Sequence, residues 1–309
     1  MFAMGPCFLN KSSSIESTDL YTWVNKGTSA NQHTYSECIN NGVIAIGGSN
    51  GSLAVSRDNG NAWTQYTICA TWAVAGICHY DGSWYFASDA RSGASVWTSS
   101  DDFSSTELPN SPPGGLGAIK QSVFNANGVL FYSHDKGSST AFISHTSSPG
   151  LAWTTVNFST YYGSITGCTY INGWYIFITT NGYILRSSDL INFSVAISGV
   201  STYLTNICQL NGVVIASNAS DSYFVSMDNG ETWTQNTGLS CIISTSTMFI
   251  GITSNMGVVK TSNDSVTWTT RLTQNLINNT VACGSADGAL ASFASFATQG
   301  YVQATIGTP

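Results

Sequence analysis

Short apolar segments alternate with polar, glycine-containing turns along this chain, and the 3.6-residue period of an amphipathic helix is absent. The part from residue 204 to residue 236 shows the arrangement clearly. Its runs are TNICQL, GVVIAS, YFVSM and TWTQN, each five or six residues long. Runs of that length between turn residues are typical of β-strands. The pattern therefore predicts a unit of four short strands.

This unit recurs along the whole sequence. Each copy contains an aromatic residue that follows a short Ser-x-Asp-like turn, and the spacings between these aromatics are 40, 40, 50, 40, 40 and 35 residues. Four antiparallel strands repeating every ~40 residues are typical of a β-propeller blade. We therefore predict an all-β fold, a seven-bladed β-propeller of four-stranded antiparallel blades. The marker aromatics are Trp23, Trp63, Phe103, Trp153, Phe193, Trp233 and Trp268.

Two further series have the same period. Cysteines recur 15 residues after five of the marker aromatics, and we expect them to be reduced, small and buried on the first strand of each blade. The glycines of Asn-Gly or Asp-Gly pairs follow this position by four or five residues, and such pairs between apolar runs favour tight hairpins. The cysteines are Cys38, Cys78, Cys168, Cys208 and Cys283. The turn pairs are Asn41-Gly42, Asp81-Gly82, Asn127-Gly128, Asn172-Gly173, Asn211-Gly212 and Asp287-Gly288.

The two ends of the chain complement each other. The C-terminal part has room for three strands, near residues 281–284, 289–293 and 301–305, and the missing turn and fourth strand are found at 17–25. One N-terminal strand plus three C-terminal strands therefore close the ring. We predict a single propeller domain over residues 17–309, with residues 1–16 as an N-terminal arm or contact segment.

Composition limits the partners that this fold can have. Only 8% of the 309 residues are charged, the net charge is −7, and 42% are hydrophobic, which supplies ample material for a core. Nucleic acid is excluded as a partner, because nine scattered Lys and Arg residues form no basic stripe. Low charge with abundant Ser, Thr and Asn suits an extracellular or virion surface.

Membrane insertion and secretion signals are also not expected. No apolar run approaches the roughly 20 residues that span a bilayer. The first residues, MFAMGPCFLNKSSS, have neither a basic start nor a long apolar region nor a small-residue cleavage site, so no signal peptide is recognised.

The turn motif itself resembles a known family. S-x-D-x-G-x-x-W between the third and fourth strands of a blade resembles the Asp-box, or BNR repeat, and the resemblance implies a structural role on the outer edge of a sialidase-like propeller. Asp accepts hydrogen bonds from backbone N–H groups of its own turn, and Gly permits a left-handed step. Two copies are strict: Ser56, Asp58, Gly60 and Trp63, and Ser226, Asp228, Gly230 and Trp233. Degenerate copies are Ser17, Asp19 and Trp23; Ser187, Asp189 and Phe193; and Ser262, Asp264 and Trp268.

Sialidase activity, which this resemblance raises, is not expected. Sialidases clamp the substrate carboxylate with three arginines, and bidentate guanidinium groups must converge for such a clamp. Of the four arginines here, Arg57 and Arg186 belong to the turns, which leaves Arg91 and Arg271. Two arginines cannot supply the clamp.

Another glycoside hydrolase needs only two carboxylates on either side of the scissile bond. Asp89, Asp135 and Asp221 lie in predicted loops between second and third strands, which share one face of the propeller. The ordinary interpretation is that they are solvated loop carboxylates, so we assign no catalytic residue. The four histidines are dispersed and the cysteines lack C-x-x-C spacing, so we expect neither a metal nor another cofactor.

A ligand is expected at the mouth of the central channel, on the face that carries the loops between blades and between second and third strands. Aromatic residues there, beside Asn, Thr and Ser, suit the stacking and hydrogen bonding of a sugar, although they equally suit packing of loops against blades. Extended loops of blade three lie on the same face. The candidate residues are His33, Tyr35, Trp72, Asp89, Arg91, His134, Asp135, Lys136, Tyr161, Tyr162 and Tyr203.

The sequence thus favours a non-catalytic recognition protein, a phage tail component that binds a host-surface glycan or receptor. Other virion or tail proteins are expected as partners, and an oligomer is compatible with the sequence. Two alternatives stay open. One is a secreted or virion-borne glycoside hydrolase or lyase acting on polysaccharide, and the other is an assembly propeller that contacts other proteins.

Overall fold

The computed structural model describes most of the chain. Described are residues 22–28, 34–69, 72–88, 96–108, 121–135, 141–148, 152–158, 160–198, 200, 203–218, 220–254, 257–273, 280–287, 290–296 and 302–308. For the first and last of these segments the description covers the backbone alone.

Twenty-eight strands account for nearly all regular structure in the described residues, with one short 3₁₀ turn at Ser49–Gly51. The first strand is β1 (Thr22–Thr28). Blade 1 is β2 (Thr34–Asn40), β3 (Val43–Gly48), β4 (Ser52–Ser56) and β5 (Thr64–Thr67). Blade 2 is β6 (Val74–Tyr80), β7 (Ser83–Ser88), β8 (Val96–Ser99) and β9 (Thr106–Glu107). Blade 3 is β10 (Gln121–Ala126), β11 (Val129–Asp135), β12 (Ala141–Thr146) and β13 (Thr154–Asn157).

The second half of the chain continues in the same way. Blade 4 is β14 (Ile165–Ile171), β15 (Trp174–Thr179), β16 (Ile184–Ser187) and β17 (Ser194–Ile197). Blade 5 is β18 (Leu204–Leu210), β19 (Val213–Asn218), β20 (Ser222–Ser226) and β21 (Thr234–Thr237). Blade 6 is β22 (Cys241–Ser244), β23 (Phe249–Ile252), β24 (Val258–Ser262) and β25 (Thr269–Thr273). Blade 7 is β26 (Thr280–Asp287), β27 (Leu290–Phe296) and β28 (Val302–Thr308), with β1 as its outer strand.

Within the described residues these strands form seven four-stranded antiparallel sheets, each with its strands in chain order apart from the sheet that β1 completes. The first strands of the blades contact one another in sequence, β2 to β6, β10, β14, β18, β22 and β26, and β26 contacts β2 again. The prediction of a β-propeller with four-stranded antiparallel blades is confirmed. Its ring is joined where β1 pairs with β28, with Thr22 opposite Thr308.

Tight hairpins join the first two strands of most blades. Asn41 has a φ of 49° and Gly42 a φ of 76°, the left-handed conformation that a type I′ turn requires at both central positions. The corresponding turn of blade 7 is one residue later than the sequence suggested. Asp287 pairs with Leu290 and therefore ends β26, so the Asp287-Gly288 assignment was wrong.

The hydrophobic core lies between blades. Alternate side chains of each first strand point to opposite faces of its sheet, because side chains alternate along a strand. Cys38 of blade 1 and Ile77 of blade 2 share one buried cluster, and Cys78 of blade 2 and Val123 of blade 3 share the next. Each first strand therefore packs against both neighbouring blades, and Trp84 is among the largest side chains that are fully buried in this way.

Polar groups also link neighbouring blades. Ser36 Oγ donates to the carbonyl of Val74 at 2.8 Å, and Thr166 Oγ1 donates to the carbonyl of Leu204 at 2.8 Å. Where blade 7 meets blade 1, the Ile39 N–H donates to Ser285 Oγ at 2.9 Å. Small hydroxyl side chains thus fill hydrogen-bonding positions that the sheets leave open, which avoids the cost of buried unpaired polar groups. Similar links come from Ser133 to Ile165, from Ile242 to Ser217 and from Ser244 to Gln209.

The cysteines are buried, as their regular spacing led us to expect. Burial raises the pKa of the Cys78, Cys168 and Cys208 thiols, which keeps them protonated and unreactive. Cys38 differs, because it is disulfide-bonded. Our expectation that the cysteines are all reduced was therefore wrong for Cys38, whereas Cys69, Cys78, Cys168, Cys208 and Cys241 are free.

Candidate functional site

The antiparallel strand order places two kinds of connection at opposite ends of the blades. The loops that join second to third strands, and each blade to the next, lie at one end, which we call the upper face. The hairpins between first and second strands and the Ser-x-Asp turns between third and fourth strands lie at the other end, the lower face. Among the described residues, the predicted ligand residues belong to the upper face and the predicted structural turns belong to the lower face.

Several predicted ligand residues lie outside the described part of the chain. His33, Asp89, Arg91 and Lys136 are in this group, as are Ser17 and Asp19 of the first predicted turn. The backbone of His134 and Asp135 is described, and both residues belong to β11 rather than to a loop, since they pair with Phe142 and Ala141 of β12. The extended loop that the sequence suggested in blade 3 is therefore partly a longer hairpin.

Tyr35 lies in a strand rather than in a loop. It is the second residue of β2, only 7% exposed, and the register of β2 against β3 shifts between Thr34 and Ser36, so Tyr35 occupies a β-bulge. A bulge changes the direction of a side chain without leaving the strand. The assignment of Tyr35 to a ligand-binding position stays a prediction, and the structure shows that its side chain is largely buried.

The best-defined aromatic group of the upper face lies on blade 4. Tyr162 meets Tyr183 with ring centroids 5.2 Å apart at 66°, and Phe158 meets Tyr162 at 5.9 Å and 80°. Phe158 in turn contacts Phe193 at 4.9 Å. Edge-to-face contacts of this kind are favourable for aromatic rings and fix their orientation. The rings pack against the core of blades 3 and 4, and Tyr162 and Tyr183 are half-buried.

The backbone beneath this group is held by a reciprocal pair of hydrogen bonds. The Ser164 N–H donates to Thr180 Oγ1 at 3.0 Å, and the Thr180 N–H donates to the carbonyl of Ser164 at 2.9 Å. The loop before β14 and the loop after β15 are thereby joined, which positions Tyr162 relative to Tyr183. Asn181 is exposed beside them and adds an amide to the same surface.

The other predicted aromatic residues of the upper face lie at the starts of blades 2, 4 and 5. Trp72 is half-buried and packs against the core shared by blades 1 and 2. Tyr161 is half-buried against the core of blades 3 and 4, and Tyr203 is half-buried just before β18. Tyr161 and Tyr162 thus lie at the start of blade 4 and Tyr203 at the start of blade 5. The structure brings Tyr162 together with Tyr183, a residue that our sequence reasoning missed although it lies in a loop between second and third strands.

Asp221, one of the three predicted loop carboxylates, is fully engaged in holding loops together. Its Oδ1 accepts from Ser240 Oγ at 2.7 Å and from the Ser254 N–H at 2.8 Å, and its Oδ2 accepts from Ser254 Oγ at 2.8 Å. Asp221 has a φ of 56°, which the loop conformation requires. These bonds connect loops of blades 5 and 6, so Asp221 stabilises the loop structure rather than acting as a general acid or base.

On the lower face, the first strict turn is held by its own serine and aspartate. Ser56 Oγ donates to Asp58 Oδ1 at 2.8 Å and accepts from the Gly60 N–H at 2.8 Å. Asp58 Oδ1 also accepts from the Ala62 N–H at 2.8 Å, and Trp63 Nε1 donates to the carbonyl of Gly60 at 3.1 Å. All four motif residues therefore satisfy backbone or side-chain groups of the same turn.

The second strict turn repeats this geometry. Ser226 Oγ donates to Asp228 Oδ1 at 2.8 Å and accepts from the Gly230 N–H at 2.8 Å, and Trp233 Nε1 donates to the carbonyl of Gly230 at 3.0 Å. The Thr232 N–H donates to Asp228 Oδ1 at 2.9 Å. Equal distances at positions 170 residues apart, such as Ser56 and Ser226, show that the motif encodes a local structure.

The degenerate turns keep the serine–aspartate pair. Ser187 Oγ donates to Asp189 Oδ1 at 3.2 Å, and Ser262 Oγ donates to Asp264 Oδ1 at 2.9 Å. In blade 6 the ring of Trp268 rests on Tyr223 of blade 5 with centroids 6.1 Å apart. The aromatic residue of the turn thus contacts the preceding blade.

Without the motif glycine, another residue takes the left-handed position. Leu190 has a φ of 59° and Phe103 a φ of 58°, and both side chains are buried against the preceding blade. In blade 5 the left-handed residue is Gly230, and a side chain of blade 4 occupies the space where its side chain would lie. A Cβ on Gly230 would be 2.5 Å from Ile176 of blade 4. The assignment of Phe103 as the counterpart of Trp63 was therefore wrong. Phe103 occupies the left-handed position and contacts Tyr66 of blade 1 at 5.3 Å.

Hydrogen bonds lower the pKa of the turn carboxylates. The Thr232 hydroxyl and backbone lower the pKa of Asp228 to about 2, and the backbone N–H groups of Thr267 and Val266 lower that of Asp264 to about 2. The pKa values of Asp58 and Asp189 are lowered by the same kind of donor. These carboxylates are therefore ionised at neutral pH, and as acceptors of several N–H groups they are unsuited to proton transfer.

Neither a metal-binding cluster nor a membrane-spanning helix is found among the described residues. There, no three His, Cys, Asp or Glu side chains come together in a way that could hold a metal ion. No helical segment of the described residues has the length and apolar character needed to cross a bilayer.

Comparison with known proteins gives the fold and no closer relationship. No protein-family model and no curated protein matches the sequence. The chain is similar to YCF48 bound to D1 peptide, with a TM-score of 0.68 and 12% identity over 96% of this chain and 100% of that one. It is also similar to an inactive variant of virginiamycin B lyase from Staphylococcus aureus with quinupristin, with a TM-score of 0.70 and 11% identity over 93% and 100%. The WD40 domain of Neurospora crassa Pan2 has a TM-score of 0.65 and 10% identity over 94% and 97%.

Proposed function

We propose that this protein is a non-catalytic recognition propeller that binds a surface ligand, a glycan, through the upper face of blade 4. The observation that carries the proposal is the pair of half-buried tyrosines, Tyr162 and Tyr183, whose ring centroids lie 5.2 Å apart above a hydrogen-bonded loop base. The C–H face of a pyranose stacks on such rings, while the neighbouring amide of Asn181 and hydroxyl groups bond its hydroxyls. Loops carried on a rigid scaffold are the usual place for such a site.

The absence of free carboxylates among the described upper-face residues supports a binder over a hydrolase. A glycoside hydrolase needs an acid and a base or nucleophile on either side of the scissile bond. Asp221 accepts three hydrogen bonds from Ser240 and Ser254, which fixes it in a structural role. The hydrolase or lyase alternative then depends on Asp89 and Asp135, whose side chains are not among those that the structure describes.

We further propose that the Ser-x-Asp turns are structural elements of the Asp-box type. The support is their hydrogen bonding, since Ser56 and Asp58 satisfy groups of their own turn. For location, we propose a virion, a phage tail component, because of the low charge and the abundance of Ser, Thr and Asn.

A peptide or protein ligand on the upper face is the second candidate. YCF48, which has the same fold, was solved bound to D1 peptide, and the lyase structure contains quinupristin. Propellers of this shape therefore accept quite different ligands, and aromatic rings serve peptide binding as well as sugar binding. A scaffold role is the corresponding assembly alternative.

A glycan array with the intact protein, followed by product analysis on each bound glycan, tests the proposal. We expect binding to a restricted set of glycans with no change in glycan length. Release of sugar from a bound glycan would replace the binder with a hydrolase. Failure to bind any glycan, together with failure to bind host cells, would contradict the recognition function itself.

A further inference from the structure

Exposed apolar side chains are concentrated on one arc of the ring. In the described part of the chain, four large hydrophobic residues are exposed: Ile191 at 74%, Val266 at 71%, Met227 at 66% and Val195 at 43%. Ile191, Met227 and Val266 lie in the Ser-x-Asp turns of blades 4, 5 and 6, and Val195 lies on β17, directly after the turn of blade 4. We call these four residues the apolar arc.

Corresponding turns elsewhere in the ring show that the fold does not require these side chains. The exposed turn residues of blade 1 include Asn61 and Ala62, those of blade 2 include Asp102, and those of blade 3 are Ser147 and Ser148. The backbone of blade 1 makes the same turn as blade 5 with the same hydrogen bonds, yet exposes no large apolar group there.

The outer strands lead to the same conclusion. Val195 pairs with Leu185 on the outer strand of blade 4. At the matching register, Gln65 pairs with Ala54 in blade 1 and Gln235 pairs with Phe224 in blade 5. Outer strands are usually protected from association by polar side chains. The outer strand of blade 4 therefore presents an aliphatic group where blades 1 and 5 present glutamine.

The apolar arc is interspersed with negative charge. Asp189 and Asp264 are exposed in the turns of blades 4 and 6, and hydrogen bonds keep the pKa of both well below its usual range. Glu231 is 71% exposed in the turn of blade 5, and its nearest cation, Arg186, is almost buried at 3.8 Å and stacks on Trp174 at 4.0 Å. The surface thus presents hydrophobic groups beside carboxylates that stay ionised.

We propose that the apolar arc is a docking surface for a protein segment that carries both apolar and positively charged side chains. Exposed apolar patches bordered by polar residues commonly mark sites of protein association. The charge selects among the possible occupants. A second copy docked through the same arc would place Asp189, Glu231 and Asp264 against their own counterparts, and a membrane with anionic lipids would be repelled in the same way. A basic amphipathic segment satisfies both kinds of group.

This surface is separate from the proposed ligand site. The turns that carry Ile191 and Met227 lie at the lower end of the strands, whereas Tyr162 and Tyr183 lie at the upper end. One face then holds the ligand while the other holds the segment of a partner. The two roles can succeed or fail independently.

The test uses a synthetic amphipathic peptide of leucine and lysine as the probe, with binding to the intact protein measured by fluorescence anisotropy. We expect saturable binding that weakens as salt is raised, because part of the attraction is between exposed charges. The triple variant I191S, M227S and V266S should bind at least ~10-fold more weakly, because it removes three of the exposed apolar side chains that the peptide would cover. Glu231→Gln should reduce the salt dependence and weaken binding by a few-fold.

The matched control is the pair Ala62→Ser and Ser147→Ala, which alters exposed turn residues of blades 1 and 3 and should leave binding unchanged. Equal binding by the triple variant and this control would overturn the proposal. So would equal binding of a leucine–glutamate peptide, concentration-dependent dimerisation lost in the triple variant, or binding of the arc to phosphatidylserine vesicles. Loss of peptide binding with glycan binding retained would support the docking surface and leave the upper-face proposal intact.

Discussion

Ser226 Oγ lies 2.8 Å from Asp228 Oδ1 and 2.8 Å from the N–H of Gly230, so one buried hydroxyl serves as donor and acceptor at the centre of a turn. Ser56 and Asp58 have the same relationship in blade 1. Because each blade must reverse its chain at this point, the serine–aspartate pair stabilises a turn that recurs around the ring.

Removing the hydroxyl should therefore destabilise the fold. In Ser226→Ala the buried N–H of Gly230 loses its acceptor, and an unsatisfied buried donor costs about 1–3 kcal/mol. Equilibrium unfolding in urea would measure this loss of unfolding free energy. Ser188→Ala, a change at an exposed position of the blade 4 turn, is the control and should stay within about 0.5 kcal/mol of the wild type. Equal stability of the two variants would contradict the role of the Ser226 hydroxyl in stabilising the turn.

The lowered pKa values predict where acid weakens the turns. A carboxylate with a pKa of about 2 in the folded protein and about 3.9 when unfolded stabilises the fold above pH 4. The contribution of Asp228 and Asp264 is then lost as the pH falls from about 4 to about 2. Thermal unfolding as a function of pH should show this loss, and carbon-13 titration of the carboxyl groups should identify the residues. Titration of both near pH 3.9 would contradict the hydrogen-bonding account.

Leu190 allows a comparison of backbone strain with burial. Its φ of 59° is unfavourable for a side chain with a Cβ, but its side chain is buried against blade 3. Leu190→Ala should lose about 2–3 kcal/mol of unfolding free energy. Leu190→Gly should be the more stable of the two variants, because glycine avoids a left-handed penalty of about 1 kcal/mol. Urea unfolding would decide, and the order found in ordinary helices, with alanine the more stable by about 1 kcal/mol, would contradict this account.

Two glycines with the same backbone conformation test the packing of a loop. Gly51 and Gly42 both have positive φ, 67° and 76°, so replacement by alanine strains the backbone equally. A Cβ on Gly51 would overlap the carbonyl oxygen of Cys69 at 1.5 Å, whereas nothing lies within 4 Å of one on Gly42. We expect Gly42→Ala to lose about 1 kcal/mol and Gly51→Ala to lose several-fold more. Similar melting temperatures for the two variants would contradict the placement of Gly51 against Cys69.

The regular features of the fold could be predicted because they are local. An Asn-Gly pair such as Asn41-Gly42 specifies its turn by backbone preference alone, and Ser-x-Asp turns satisfy their own N–H groups. Repetition then indicates how the units combine, because a four-stranded sheet with two apolar faces must pack against two others. The propeller with four-stranded blades could therefore be inferred from spacing.

Irregular features could not be predicted in the same way. The bulge that buries Tyr35 is a register shift within a hairpin, and no residue type marks it. Phe103 was misplaced because the turn of blade 2 is short, and counting residues cannot show that an aromatic side chain has taken the position of a glycine. Tyr183 was missed because its contact with Tyr162 depends on how two separate loops fold over β14 and β15.

The central claim is recognition without catalysis at the aromatic group of blade 4, and calorimetric titration of a glycan identified on an array tests it most directly. Tyr162→Ala and Tyr183→Ala should each weaken binding by roughly tenfold, as the loss of one stacking contact of about 1.4 kcal/mol implies. Tyr66→Ala, which alters a half-buried tyrosine on the outer strand of blade 1, should bind as the wild type does, and the recovered glycan should be unchanged in length. Undiminished binding by both blade 4 variants, or a shortened glycan, would contradict the account.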